Sequence, residues 1–348
     1  MRSRLGYGLL FLAISISGFA GSLCKLTVVF DHAPKASRDF SRLLQKAEAG
    51  NPNAQFQVGL AYEAGTSVEQ DHIEAARWYP KAADRGNSAA QNNLGSMYGR
   101  GLGVPQSDSE AMKWYLRAAV EGLPAAQNNV GFMYANGRGV PRSDEEAATW
   151  YRRSANRGYP PAEANLAFMC SAGRGVPKSD KDAFSWYRKA ASKGYGPAEA
   201  NLATLYANGQ GVVADTKQAL KWYRRAAEHG VVPAELSLGL MYFHGNGVSQ
   251  DPSEALNWFG KAAEHGSAAA ENQIGFAYEH GQGVPQDYGM AEKWYRKAAE
   301  HGLSEARHNL AIITSFLRNL PHGSGTASIQ SFAGNEKANA PGRSSQQQ

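Results

Sequence analysis

The chain has 348 residues, 43% of them apolar, with 38 glycines, two cysteines and a formal charge of +5. Its basic residues form no runs, and without Arg2 and Arg4 they number 34 against 31 acidic ones, a balance that does not fit a nucleic-acid binder. Two cysteines, Cys24 and Cys170, exclude a disulfide framework.

The N-terminus reads as an export signal over residues 1–22. Arg2 and Arg4 precede an uncharged stretch from Leu5 to Cys24, and the small residues Gly18, Ala20 and Ser22 allow cleavage after Ala20 or Ser22. The stretch is also long enough to stay as a membrane anchor. Lipidation of Cys24 is not expected, because Leu23 stands where such a site requires a small residue.

The seven tryptophans, Trp78, Trp114, Trp150, Trp186, Trp222, Trp258 and Trp294, are spaced 36 residues apart. Equal steps of this kind mean one supersecondary unit copied end to end. A degenerate capping helix over 36–50 comes first, with Arg42 in place of Trp but Lys46, Ala47 and Gly50 in register. Seven units follow within 51–318, and the pattern predicts a closing helix over about 304–317. From 319 to 348 the composition turns to Gly, Ser, Ala and Gln, which predicts a disordered tail.

Each unit predicts two helices. Helix A carries Ala at 54, 90, 126, 162, 198, 234, 270 and 306, with an aliphatic column four residues later and a Tyr column four beyond that. That is one apolar stripe at helical spacing. Cys170 replaces the Tyr of its unit and reads as a small buried hydrophobe. Helix A ends in loops such as Gly101-Leu102-Gly103-Val104-Pro105.

Helix B opens on Asp71, Ser107, Ser143, Ser179, Asp215, Asp251 or Asp287, residues that cap free N–H groups. An acidic or amide residue three places later gives six of the seven units a capping-box pattern; Met290 departs from it. Trp, Tyr and two Ala columns form its buried face, Ser154 being the one exception among those alanines, and Gly stops it.

Chemistry is sparse. The one Ser-x-x-Lys, Ser22 to Lys25, lies in the signal region, and HExxH, CxxC and P-loop patterns do not occur. His229, His265 and His301 recur in Glu-His-Gly, and His244 and His280 also stand 36 apart. Metal ligands must converge within about 2–2.6 Å of an ion, whereas equivalent positions on stacked helices lie about 8–10 Å apart. These histidines therefore read as helix C-terminal caps favoured by the dipole, and neither metal nor cofactor is expected. The basic column three residues after each Trp (Lys81, Arg117, Arg153, Lys189, Arg225, Lys261, Lys297) shares its bearing with Glu110 and Glu146, and reads as a solvated outer face.

The segment LGSMYGRGLGVPQSDSEAMKWYLRAAVEG (94–122), and its recurrence in every unit, resembles the Sel1-like repeat, a relative of the tetratricopeptide repeat. The resemblance implies an all-α fold, an α/α right-handed solenoid, and a non-catalytic adaptor that binds proteins; many bacterial relatives are exported. Some secreted relatives carry a disulfide in every repeat and are linked to β-lactam binding, but this chain lacks those cysteine pairs.

In related solenoids helix A lines the concave surface. On that side the chain repeats a column of Ser96, Phe132, Phe168, Thr204, Leu240, Phe276 and Ile312. The expected groove has Phe132, Phe168, Leu240 and Phe276 as apolar anchors and Asn92, Asn128, Asn272 and His308 as polar companions, a mix that suits a peptide segment or helix. Lateral helix packing is the competing role for these residues. The expectation is an exported monomeric scaffold with a protein or peptide partner; the alternative is a cell-envelope enzyme such as a β-lactam or peptidoglycan hydrolase.

Overall fold

The computed structural model describes residues 35–319; the expected signal segment, with Ser22 and Cys24, and the expected tail beyond Asn319 lie outside them. The described residues form sixteen α-helices. These are α1 (Lys35–Glu48), α2 (Pro52–Ala64), α3 (His72–Ala83), α4 (Ser88–Arg100), α5 (Asp108–Val120), α6 (Pro124–Asn136), α7 (Asp144–Asn156) and α8 (Pro160–Ala172). They continue with α9 (Asp180–Ser192), α10 (Gly196–Asn208), α11 (Thr216–Glu228), α12 (Val232–His244), α13 (Pro252–Glu264), α14 (Ala268–His280), α15 (Tyr288–Glu300) and α16 (Ser304–Arg318). Even-numbered helices are helix A and odd-numbered ones helix B. Each packs chiefly on its neighbours in sequence, giving an α/α solenoid with α1 and α16 at its ends.

All seven helix B N-termini are capped by the expected side chains, as Asp71 accepting from the Ile73 and Glu74 N–H groups illustrates. The capping box is only half used. The N–H of each capping residue donates to a carbonyl nine residues back on helix A, from Tyr62, Tyr98, Tyr134, Cys170, Tyr206, Tyr242 and Tyr278, at 2.8–3.0 Å. With that donor satisfied by the hairpin, Glu110 pairs with Lys113 at 2.6 Å and Glu254 accepts from Trp258 Nε1 at 2.8 Å. In the seven units helix A starts in two ways: Asn51, Asn87 and Ser267 cap by side chain, while α6, α8, α10 and α12 lack that bond and place Pro in the first turn; the closing α16 has neither.

From the second unit on, each loop between helices A and B turns on two glycines of positive φ, such as Gly101 and Gly103, both at +68°. The second touches the neighbouring unit. A Cβ on Gly103, Gly139 or Gly175 would collide with the carbonyl of the first residue of the preceding helix B, His72, Asp108 or Asp144. Ser67 holds the equivalent place in the first unit at φ 70°.

The core is a chain of small clusters rather than one centre. Trp78 packs on Ala47 of α1 and on Ala54 and Val58 of α2. Trp150 packs in the same way on Ala118 and Ala119 of α5 and Ala126 and Val130 of α6. Helix A approaches the following helix B through Gly59, Gly95, Gly131, Gly239 and Gly275, with the ring of Tyr79, Tyr115, Tyr151, Phe259 or Tyr295 against each; Ala167 and Ala203 take that place in two units. Cys170 is buried in the core, and burial pushes its thiol above the ordinary range. Ser154, the break in the alanine columns, is also buried and donates Oγ to the Pro124 carbonyl at 2.7 Å.

Candidate functional site on the helix A face

Phe132 on α6 and Phe168 on α8 hold the same position in successive units and are 44% and 49% exposed. The residue 33 places earlier decides this. Phe276 meets Phe243 there, edge-on with ring centroids 6.1 Å apart, and is half-buried. Phe132 and Phe168 have Gly99 and Ala135 at that place and stay uncovered. Leu240 is half-buried in the same cluster as Phe276, and Thr204 bonds the Tyr223 hydroxyl at 2.9 Å. Of the four expected apolar anchors, two stand free and two serve the core. Ile312, further along the column, is 51% exposed.

Each exposed Phe borders a hollow of repeated composition. Tyr115, Asn129, Phe132, Met133 and Arg138 line one of about 100 Å³, and Tyr151, Asn165, Phe168, Met169 and Arg174 line the next, of about 190 Å³. Arg138 donates Nε to Asp108 at 3.0 Å and Nη2 to the Gly99 carbonyl at 3.0 Å. Arg174 repeats the carboxylate clamp on Asp144 at 3.0 and 2.5 Å, and holds that carboxyl below its usual range. The clamps fix the hollows' rims across unit boundaries. Sequence reasoning overlooked them, although Gly-Arg-Gly-Val-Pro recurring at 137 and 173 was a usable signal.

The expected polar companions sit elsewhere in the scheme. Asn129 donates to Asn92 at 2.9 Å, Asn165 to Asn128 at 2.9 Å and Asn309 to Asn272 at 3.0 Å, so these amides tie successive helices A together. Asn272 is also buried, whereas His308 is exposed. Lateral packing thus occupies the asparagines, because an amide opposite an amide satisfies both in a half-buried seam.

A second column, directly after the helix A alanines, went unnoticed in the sequence. Gln55, Gln91 and Gln127 are followed by Glu163, Glu199, Glu235 and Glu271, and all seven are buried. Each Gln donates Nε2 backward, to the carbonyl of Ala47, Ala83 or Ala119 at 3.1 Å. A carboxylate cannot donate, so each Glu turns forward to basic side chains at the end of helix B in its own unit. Glu163 pairs with Lys193 at 2.6 Å, Glu199 with Arg225 at 3.0 Å and Glu271 with Lys297 at 3.0 Å. His229, His265 and His301 place Nδ1 at 2.7, 2.9 and 2.8 Å from Glu199, Glu235 and Glu271. The partner of each of these histidines is therefore a carboxylate, which corrects the reading as a simple cap on helix-end carbonyls. Arg307, last in the column, is exposed. His280 stacks on Phe276 at 4.0 Å and His244 lies edge-on to Phe243 at 5.2 Å.

The basic column does not simply extend into solvent. Every member lies over its own tryptophan, from 3.8 Å for Lys81 and Lys261 to 5.0 Å for Lys297. Each cation shields an indole at a unit junction, and Arg225 and Lys297 at the same time pair with Glu199 and Glu271.

Comparison with known proteins agrees with this architecture. The model of the Sel1 repeat matches seven segments, 52–87, 88–122, 124–159, 160–195, 196–231, 232–267 and 268–303. The chain is similar to c5321, a protective antigen present in uropathogenic Escherichia coli strains displaying an SLR fold, with 35% identity and a TM-score of 0.70 over 79% of this chain. It spans 59% of that antigen's length. It is also similar to a Sel1 repeat protein from Oxalobacter formigenes, at 37% identity, TM-score 0.65, over 79% of this chain and 80% of the other. Among curated proteins nothing matches. From its seven matched units and the helix pairs they form, the chain belongs to the Sel1 repeat family.

Proposed function

We propose that this protein is an exported, monomeric, non-catalytic scaffold that holds a protein or peptide segment against its helix A face. Sel1 repeat solenoids generally mediate protein–protein interactions, and the observation that carries the reading here is the pair of uncovered rings, Phe132 and Phe168, each beside a hollow with a clamped arginine at its rim. Large exposed apolar side chains at a fixed step along a rigid array are the anchors that a peptide segment requires. The arginine clamps add a rim of hydrogen-bonding groups that sets the orientation of a bound chain.

The test is crosslinking capture from envelope extracts of the protein's own host, comparing wild type with the double variant Phe132→Ser, Phe168→Ser after circular dichroism shows both folded. Loss of a captured partner in the variant is expected; equal capture overturns this placement of the site. Export is tested separately by the intact mass of the protein recovered from that host: a start near Gly21 or Leu23 is expected, and an intact N-terminus overturns cleavage.

A further inference from the structure

The seam between α5 and α7 differs from every other seam in the array. At the four later seams at least one of the two equivalent helix B positions, held by Lys, Arg or His, pairs with a buried Glu. Here they are Arg153 and Arg157, and the buried residue is the neutral Gln127. The seam opens into a hollow of about 440 Å³ lined by Val120, Gln127, Trp150, Arg153, Asn156 and Arg157. Arg153 rests on Trp150 at 4.4 Å, and among the described residues neither guanidinium has a carboxylate in ion-pair range, the adjacent Glu121 included. Gln127 Nε2 is committed to the Ala119 carbonyl, while its Oε1 is buried and accepts no hydrogen bond.

The other two glutamine seams share the buried, unpaired Oε1, on Gln55 and Gln91, but not the two free guanidiniums. Arg85 spends its guanidinium on the Gly50 carbonyl beside Gln55. Beside Gln91, Arg117 faces Asp84 at 3.7 Å, and the second cationic position is Glu121.

We propose that the hollow binds an acylated α-amino acid, the chemistry found at the C-terminal end of a peptide. A free carboxylate answers two unpaired guanidiniums. The amide N–H one carbon away supplies the donor that the buried Gln127 Oε1 lacks, a defect that otherwise costs stability. Exposed Val120 offers an apolar wall to the terminal side chain. A bare anion would satisfy the arginines and leave Gln127 unpaired. The site lies on the helix B side and does not rest on the reading of the helix A face.

The experiment is calorimetric titration of the full chain with N-acetyl-alanyl-leucine, with the same dipeptide amidated at its C-terminus, and with inorganic phosphate. Saturable binding of the free acid is expected, with the amide and phosphate at least about tenfold weaker. Gln127→Glu places in this seam the carboxylate that four other seams already hold, so it should fold and neutralise the arginines; at least about a tenfold loss of affinity is expected. Arg157→Gln serves as the second variant, with the same expectation. The variant Phe132→Ser, Phe168→Ser should bind the dipeptide unchanged, which separates this site from the helix A face. Absence of saturable binding, equal binding of acid and amide, phosphate matching the acid, or undiminished binding by both seam variants overturns the proposal.

Discussion

The first three units and the last four solve the same burial problem with opposite chemistry. In residues 52–159 a neutral amide at the heart of each seam braces back to the preceding helix B, as Gln91 does on Ala83. In residues 160–303 a carboxylate at the same position reaches forward to basic side chains on helix B of its own unit, as Glu199 does to Arg225 and His229. The backbone path is the same, yet one end is held by dipoles and the other by charges. An amide and a carboxylate of one shape are interchangeable for packing but not for what each must find around it.

The largest effect should come from orphaning a buried charge. Arg225→Ala with His229→Ala leaves the Glu199 carboxylate, 0% exposed, without its two partners, and should cost about 3–5 kcal/mol, read as lost hydrogen-exchange protection in α10 and α11. Glu199→Gln instead installs the solution of the first three seams and should change stability by no more than about 1 kcal/mol. If the two variants cost the same, the distinction between the halves fails.

Next comes Gly95→Ala. Its Cβ would lie 2.8 Å from the Tyr115 ring, so about 1–3 kcal/mol of overpacking is expected in urea unfolding. The units carrying Ala167 and Ala203 already accommodate that methyl, and a null result at Gly95 would mean the seams are looser than the rings suggest.

The smallest effect concerns the clamps. Arg174 holds the Asp144 carboxyl below its ordinary range, chiefly by hydrogen bonding. A lowered carboxyl adds stability above the ordinary carboxylate range, and that increment disappears as pH falls through Asp144's depressed value. For so accessible a pair it should be under about 1 kcal/mol. Arg174→Gln should therefore lower the melting temperature slightly at neutral pH and leave it unchanged in strong acid. An equal loss at both pH values would assign Arg174 a packing role only.

The fold was legible because each layer of signal repeats: tryptophan spacing, caps, alanine faces and glycine stops agree in every unit. The candidate site was legible only in part. Phe132 and Phe168 could be picked out as a column, but their exposure depends on Gly99 and Ala135, which belong to the helix A of the preceding unit. The asparagines looked like recognition groups because one sequence position cannot reveal that its opposite number, 37 residues on, is also an amide. The Gln-to-Glu column was printed at the repeat period yet overlooked, since neither residue type ordinarily marks a buried position. The same holds for the histidines, whose partner sits 30 residues earlier and follows no local pattern.

One further consequence follows from the second glycine of each loop. Gly103, Gly139 and Gly175 bring backbone against backbone, so the pitch between these units is set by atoms common to every amino acid. Side chains can then be exchanged across a column without moving the column itself. Units excised at 36-residue boundaries should be transplantable within the array, and a Gln seam moved among Glu seams would carry its own charge pattern with it. The molecule is in that sense a fixed ruler on which the markings can be rewritten.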